Sequence, residues 1–228
     1  MSAARPGRRG TVVLLHGLNR TQLSMAPLAW RLRRAGYATS NLYYPSARAT
    51  IEEHADRLLA RLASELPAAE GPLHFVGHSL GCLVVRCALH RGLREPLASR
   101  AGRFVMLGPP NRGSALARRF AGQRFWDRWY GTASFHQLAR PEVLSQWVPA
   151  IPFGVIAAGR LAERGWNPLL PGDDDGIVEV TSTHLEGEAD HLLLRGVHTT
   201  LPWRRDVAEQ VLRFLETGRF ESSATLGS

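Results

Sequence analysis

Lysine is absent from this 228-residue sequence, and all 28 basic residues are arginine. Chemistry that needs a lysine amine, such as Schiff-base formation or a serine–lysine pair, is therefore excluded. The formal net charge is +8, but the arginines are scattered along the chain and form no basic stripe. This pattern is typical of solvated helix faces, so we expect no nucleic-acid binding.

Cysteine is also scarce, since the chain has only Cys82 and Cys87. Both lie on one predicted helix, where a spacing of five positions points the two side chains in different directions. Their geometry is wrong for a mutual disulfide, so we expect two buried free thiols.

Long apolar runs are missing as well. No stretch of about 18 uncharged apolar residues occurs, so we expect no membrane span. The three arginines of residues 1–10 are not followed by an apolar stretch of signal-peptide length. This favours a cytoplasmic protein, and a secreted protein whose signal has been removed stays the alternative.

Short apolar runs alternate with amphipathic helical patterns from residue 11 onwards. With 44% hydrophobic residues, the composition predicts a single domain over residues 1–220 and a frayed polar tail over residues 221–228. The alternation predicts a mostly parallel sheet with helices on both sides, hence a three-layer α/β fold. The predicted strands are residues 11–15, 37–43, 73–76, 103–107, 153–157 and 191–195, and the predicted helices are residues 25–35, 51–65, 79–90 and 207–215.

A serine between two glycines, in Gly77-His78-Ser79-Leu80-Gly81, directly follows one predicted strand and precedes a helix. A sharp strand-to-helix turn projects the serine hydroxyl away from the backbone, but leaves no room for side chains two residues on either side. The positive end of the following helix favours developing negative charge. We therefore predict that Ser79 is a nucleophile. His78 points away from Ser79 on such a turn, so we interpret it as a packing residue.

A serine nucleophile needs a histidine that takes its proton and a carboxylate that orients this histidine. His198 lies on a loop just after the last predicted strand, at the sheet edge where the sites of α/β proteins collect. His191 begins that strand, and His184 follows a strand-like segment too closely to reach back. We therefore expect His198 to be the base.

Three consecutive aspartates follow the fifth predicted strand, in the segment Asp173-Asp174-Asp175-Gly176-Ile177-Val178. Their mutual repulsion implies that at least one has a specific role. Asp175 adjoins a glycine and an apolar pair that can bury against the core, so we expect it to be the acid. We expect Asp173 and Asp174 to face solvent, and binding of a hard cation such as calcium by these two stays an alternative.

The segment His16-Gly17-Leu18-Asn19 follows the first predicted strand. Gly17 lets the backbone pass close to a bound carbonyl, so the amide of Leu18 can face the reacting oxygen. The amide of Leu80, the residue after the nucleophile, would be the second donor of this oxyanion hole. We expect His16, Gly17 and Asn19 to contact the substrate.

Five segments, which follow one another in the same order along the chain, resemble small bacterial lipases and esterases of the α/β-hydrolase superfamily. The resemblance spans about residues 11–200 and implies a minimal form of that fold without its usual first two strands. It also implies the triad Ser79, Asp175 and His198, with Leu18 and Leu80 as oxyanion donors and neither a cofactor nor a metal. Pro110, where many relatives have a polar residue, departs from the pattern. The segments are His16-Gly17, Gly77-His78-Ser79-Leu80-Gly81, Leu107-Gly108-Pro109-Pro110-Asn111-Arg112-Gly113-Ser114, Asp175-Gly176-Ile177-Val178 and Gly196-Val197-His198.

Residues 111–150 contain no clear strand, and six of the chain's 18 aromatic residues fall between positions 120 and 135. Their spacing places Trp126, Trp129 and Tyr130 on one helix face. Two interpretations stay open: a helix that packs on the sheet, or a cap or lid over the site that binds an acyl chain. The second predicts that all three aromatic residues contact the substrate.

These observations predict a serine hydrolase that cleaves small-molecule or lipid carboxylic esters through an acyl-enzyme on Ser79, with at most transient contact to a lipid surface. The same triad would serve a thioesterase, an amidase or an acyltransferase, because the pocket rather than the fold decides the substrate. A non-catalytic binding protein is the remaining alternative, and the complete set of serine, aspartate and histidine argues against it.

Overall fold

A six-stranded parallel sheet organises the computed structural model, which describes residues 9–66 and 71–221. The strand order is β2-β1-β3-β4-β5-β6, and every neighbouring pair is parallel. The predicted strands are confirmed, with ends that differ by at most two residues. The strands are β1 Thr11–Leu15, β2 Ala38–Leu42, β3 Leu73–His78, β4 Ala101–Leu107, β5 Phe153–Gly159 and β6 Asp190–Arg195.

Helices cover both faces of the sheet, because successive strand residues point to opposite sides. In β1, Val12 and Leu14 belong to the hydrophobic cluster under one helical layer, and Val13 and Leu15 to the cluster under the other. This arrangement confirms the predicted three-layer α/β fold. The helices are α1 Ala26–Arg34, α2 Ile51–Glu65, α3 Leu80–Arg91, α4 Ala115–Phe120, α5 Arg124–Tyr130, α6 Ala133–Gln137, α7 Pro141–Leu144 and α8 Arg205–Thr217.

Local sequence signals account for the helix ends. Helix α2 begins with a capping box, in which the Glu53 amide donates to Thr50 Oγ1 (3.2 Å) and the Thr50 amide donates to Glu53 Oε2 (2.8 Å). After α1 the chain turns at Gly36, whose φ of +94° is favoured by glycine. Helix α3 runs through the core, and both of its cysteines are free and buried, as predicted.

The loops that matter for function lie at one edge of the sheet. Because all six strands are parallel, the segments after β1, β3, β4, β5 and β6 meet at their carboxyl ends. Nearly all of the predicted tail, residues 222–228, lies outside the described residues. Among the described helices, none combines the length and the apolar character needed to cross a membrane.

Candidate active site

Ser79 occupies the turn between β3 and α3 in a strained conformation, with φ of +54° and ψ of −122°. Non-glycine residues seldom adopt positive φ and keep it only where the surroundings hold them. Here the Ser79 amide donates to the Leu107 carbonyl on β4 (2.9 Å), and the Cys82 amide donates to the Ser79 carbonyl (2.9 Å). These bonds fix the backbone on which the hydroxyl stands.

The two glycines that flank Ser79 are required by close backbone contacts. A Cβ atom at position 77 would lie 2.6 Å from the Cα of Cys82, and one at position 81 would lie 2.5 Å from the Leu15 carbonyl oxygen. Rigid backbone cannot give way to such contacts. The spacing of glycine, serine and glycine is therefore a consequence of how tightly α3 packs against β1 and β3.

His198 and Asp175 form a buried hydrogen-bonded pair. His198 Nδ1 lies 2.6 Å from Asp175 Oδ2, and the two residues are 4% and 2% exposed. The other carboxylate oxygen accepts from the amides of Ile177 (3.0 Å) and Val178 (2.8 Å). The His198 amide also donates to the Asp175 carbonyl (2.9 Å). The carboxylate is thus held rigidly and orients the imidazole.

A cavity of about 860 Å³ opens at the carboxyl edge of the sheet and is lined by both Ser79 and His198. Behind His198, position 108 has φ of +54°, and a Cβ there would lie 3.1 Å from the ring Nδ1, so glycine leaves the space for the imidazole. The structure therefore brings the predicted nucleophile and the predicted base to one cavity, with the predicted acid hydrogen-bonded behind the base.

Aromatic side chains from the short helices α4, α5 and α6 form one wall of this cavity. The rings stack in succession, with centroid distances of 4.5 Å from Phe120 to Trp126, 5.8 Å from Trp126 to Tyr130 and 5.1 Å from Tyr130 to Phe135. The same rings also touch the hydrophobic core. The segment therefore packs on the hydrophobic core and also lines the cavity. The two interpretations from the sequence, a packing helix and a cap over the site, are thus compatible with each other.

Comparison with solved structures identifies this architecture. The mature lipase of Bacillus licheniformis matches with a TM-score of 0.70 at 16% identity, over 95% of this chain and 92% of its own. A metagenomic carboxyl esterase matches with a TM-score of 0.67 at 22% identity, over 88% of this chain and 66% of its own. The protein has the α/β-hydrolase fold.

The phospholipase PlaB of Legionella pneumophila also matches, with a TM-score of 0.69 at 15% identity. That match covers 91% of this chain and 59% of the phospholipase, so the chain spans less than two thirds of its length. No protein-family model and no curated protein matches the sequence. The resemblance predicted from the motifs is thus confirmed at the level of the fold.

Asp173 and Asp174 differ from the prediction that both face solvent. Asp174 is fully buried, and its Oδ1 accepts from the amides of Trp166 (3.1 Å), Asn167 (3.0 Å) and Gly176 (2.7 Å). Asp173 is half-buried and accepts from the amide of Arg160 (2.7 Å). The prediction was wrong because the loop after β5 folds back and its amides bind these carboxylates.

His16 is the second correction, because it was expected to contact the substrate. It is fully buried and does not line the cavity. Its ring stacks on Tyr44, with a centroid distance of 4.5 Å, and its carbonyl accepts from the Tyr44 hydroxyl (2.9 Å). Burial lowers the pKa of His16 below its usual value. His16 directly follows the buried strand β1 and lies between the layers, so it packs the base of the loop instead of facing the cavity.

The rest of the loop after β1 faces the cavity, which Gly17, Leu18 and Asn19 all line. A Cβ at position 17 would lie 3.1 Å from the Cβ of Ser79, so the absence of a side chain lets the loop approach Ser79. Leu80, the other predicted oxyanion donor, is the first residue of α3 and is fully buried. The roles of Leu18 and Leu80 stay predictions.

His78 is buried beside the site, in agreement with its interpretation as a packing residue, but it also lines the cavity. Its ring centroid lies 4.8 Å from that of His198, and its Nε2 lies 3.0 Å from the His198 carbonyl oxygen. Burial lowers the pKa of His78 well below its usual value, so the ring is neutral near neutral pH. A neutral His78 supports the loop that carries His198 without adding a positive charge beside it.

Several cavity residues were missed from the sequence. Arg20, Arg128 and Asn167 line the cavity, and none of them was predicted to do so. Two signals were available: Arg20 directly follows the loop after β1, and Arg128 lies between Trp126 and Trp129 on one helix.

One group among the described residues has a composition suited to a metal ion. The possible ligand atoms of His184, Glu188 and His191 all lie within 4.8 Å of one another. His184 Nδ1 lies 2.7 Å from Glu188 Oε1, and the rings of His184 and His191 stack with a centroid distance of 3.9 Å. These residues do not line the cavity, and we assign them no part in the site.

Proposed function

We propose that this α/β-hydrolase cleaves carboxylic esters, with Ser79 as nucleophile, His198 as base and Asp175 as the acid that orients the base. The observation that carries the proposal is the 2.6 Å hydrogen bond from His198 to a buried Asp175, on a histidine that lines the same cavity as Ser79. With Nδ1 engaged by the carboxylate, the other ring nitrogen is available to accept a proton. The lipase and the esterase among the similar structures favour the same reaction class.

The reaction begins when Ser79 Oγ attacks the ester carbonyl carbon and His198 Nε2 takes the hydroxyl proton. The tetrahedral intermediate then collapses, the bond to the alcohol oxygen breaks, and the proton passes from His198 to the departing alcohol. In the second half, water attacks the acyl-enzyme and gives its proton to His198. The carboxylic acid leaves, and Ser79 recovers its proton.

The negative charge that develops on the carbonyl oxygen needs hydrogen-bond donors in fixed positions. We propose the backbone amides of Leu18 and Leu80 for this role. The close approach of Gly17 to Ser79 supports the first donor, and the position of Leu80 at the start of the 12-residue helix α3 supports the second. The positive end of α3 adds to the stabilisation, and one such donor contributes roughly 3 kcal/mol to lowering the barrier.

The substrate that fits the cavity has an apolar acyl chain. Trp126, Trp129 and Tyr130 line the cavity, together with Phe120 and Phe135. Aromatic walls bind hydrocarbon by burying apolar surface, which stabilises the complex by about 25 cal/mol per Å². We therefore propose that the segment of residues 111–150, which carries helices α4 to α7, acts as a cap that holds the acyl group.

Labelling with a fluorophosphonate tests the nucleophile, because only an activated serine reacts with this probe. Wild-type protein should be labelled on Ser79, and Ser79→Ala should lose both labelling and hydrolysis of p-nitrophenyl butyrate. Ser114 lines the same cavity, but its Oγ caps helix α4 by accepting from the Ala117 amide (3.2 Å), so Ser114→Ala should still be labelled. Labelling that persists in Ser79→Ala would contradict the proposal.

A panel of substrates with one acyl chain tests the reaction class. The butyryl ester, thioester and amide of comparable leaving groups differ only in the bond that is cleaved. We expect the ester to have the highest kcat/KM. A thioester that is hydrolysed faster than the ester, relative to its spontaneous hydrolysis, would replace the ester in the proposal and leave the triad unchanged.

A further inference from the structure

The charged residues that line the cavity are all positive. They are Arg20 and Arg128. Within residues 9–66 and 71–221, no aspartate or glutamate lines the cavity. Asn19, Asn167 and Thr199 supply further polar groups. The cavity therefore has an aromatic wall and a polar region whose net charge is positive.

The structure holds both arginines at one junction. Asn19 adopts φ of +52°, its amide donates to Ser46 Oγ (3.0 Å), and the Arg20 amide donates to the Gly17 carbonyl (3.3 Å). The side chain of Asn19 then donates to the Trp129 carbonyl (2.6 Å), which joins the loop after β1 to helix α5. Arg20 follows Asn19 and Arg128 precedes Trp129, so the two arginines flank the same hydrogen bond.

Neither of these arginines is neutralised by an acidic side chain among the residues that the structure describes. Elsewhere in the same cap, Arg118 lies 3.9 Å from Glu179, and Arg140 lies 3.3 Å from Glu142. Unpaired guanidinium groups beside an apolar wall favour binding of a carboxylate or a phosphate.

We propose that Arg20 and Arg128 form a binding site for a negatively charged group on the alcohol part of the ester, while the aromatic wall holds the acyl chain. The preferred substrates are then esters with one apolar and one anionic end, the anion being a carboxylate or a phosphate. This inference rests on the proposed ester hydrolysis for its orientation, since the aromatic wall takes the acyl chain and leaves the arginines to the alcohol.

Two esters that differ in one charge test the site. The hexanoyl esters of 4-hydroxybenzoate and 4-hydroxybenzamide share an acyl chain and a ring, and their alcohols differ only in a carboxylate against a carboxamide. The readout is the ratio of the two kcat/KM values, in which effects common to both esters cancel. Arg20→Gln and Arg128→Gln should each lower the carboxylate-to-carboxamide ratio about two- to fivefold, the range expected of exposed charge pairs. Added salt should lower the wild-type ratio in the same direction.

Arg124→Gln is the matched control, because Arg124 lies on the same helix α5, is exposed and does not line the cavity. It should leave the ratio unchanged. The same ratio in wild type and in both cavity variants would overturn the anion site. A decrease of the ratio in Arg124→Gln as large as in the cavity variants would overturn it too. The last result would mean that the general positive charge of the protein attracts the anionic ester.

Binding separates this inference from the proposed function. Calorimetric titration of Ser79→Ala with both esters measures their affinities without turnover. We expect tighter binding of the carboxylate ester and loss of this preference when Arg20→Gln or Arg128→Gln is added. If wild type hydrolyses neither ester but the preference is present, ester hydrolysis is wrong and the anion site is right. If both esters bind equally, the anion site is wrong whatever the activity.

Discussion

At the scale of single residues, three consecutive aspartates make three different sets of contacts. Asp173 accepts from the amides of Arg160 and Leu161, and Asp174 accepts from three other loop amides. Asp175 is the one whose side chain reaches His198. Identical neighbours in the sequence thus differ because the backbone turns at each of them, which directs each carboxylate to a different set of donors.

Asp175→Asn tests the orienting role that we propose for this carboxylate. An asparagine keeps the shape but can donate to Nδ1 of His198, which would leave the proton on Nε2 and block the acceptance of a proton from Ser79. We expect kcat on p-nitrophenyl butyrate to fall by roughly 10³- to 10⁴-fold, as in triads whose aspartate is made neutral. Asp173→Asn is the control and should reduce kcat far less, since Asp173 binds loop amides. A variant Asp175→Asn with more than about a tenth of wild-type kcat would contradict the role.

At the scale of the elements, the segment of residues 111–150 is anchored to helix α3, which follows Ser79. Arg86 on α3 is fully buried and donates to the carbonyls of Trp147 (2.9 Å) and Leu144 (2.7 Å) and to the side-chain oxygen of Asn111 (2.9 Å). Burial lowers the pKa of Arg86 to about 10, so it stays charged at neutral pH. Helices α4 to α7 have four to seven residues each, too short to be stable alone, and this anchor holds their segment over the sheet.

Trp126→Ala tests whether the cap binds the acyl chain. Trp126 lies between Phe120 and Tyr130 in the stacked wall, so its loss removes apolar contact that a long chain makes and an acetyl group does not. We expect kcat/KM to fall about tenfold or more for p-nitrophenyl octanoate and much less for the acetate, in proportion to the apolar surface lost. Phe125→Ala is the matched control, because Phe125 is 70% exposed on the same helix and does not line the cavity. Equal losses for both esters would support a purely structural role for Trp126.

At the scale of the whole molecule, several histidines are buried in the neutral form. His16, His54, His74 and His78 are each at most 3% exposed, and burial lowers the pKa of all four. For His74 the pKa falls to about 4, and the positive charge of Arg103 adds to the effect of burial. The Arg103 amide also donates to His74 Nδ1 (3.0 Å), which requires the unprotonated nitrogen. The fold therefore depends on these rings remaining neutral.

Acid should destabilise the protein through these histidines. As the pH falls from 6.5 towards 4, the unfolded chain binds a proton at position 74 and the folded chain does not, so the stability present above pH 6.5 is lost across this interval. We expect this residue to lower Tm by on the order of 5 °C between these limits. The Tm of His74→Gln should depend less on pH than the Tm of wild type. The control His90→Gln changes an exposed ring, so its Tm should depend on pH as that of wild type does. Parallel curves for wild type and His74→Gln would refute this account.

The sequence by itself determined the features that depend on local patterns. Strand and helix positions followed from short apolar runs and amphipathic repeats, and the parallel three-layer fold followed from their alternation. The role of Ser79 was predicted from a motif of only five residues, because the steric demands of its turn come from neighbours in the chain. His198 and Asp175 needed one further step, the knowledge that loops after parallel strands meet at one edge of the sheet.

Only the tertiary structure decided what depends on contacts between distant segments. The burial of His16 against Tyr44, the amides that bind Asp173 and Asp174, and the anchoring of the cap by Arg86 all join residues far apart in the chain. The cavity also depends on contacts between distant segments. The loop after β1 and helix α5 meet at the hydrogen bond from the Asn19 side chain to the Trp129 carbonyl. The sequence shows which arginines exist, but only the fold brings Arg20 and Arg128 to the cavity that Ser79 lines, because position in space depends on packing rather than on local pattern.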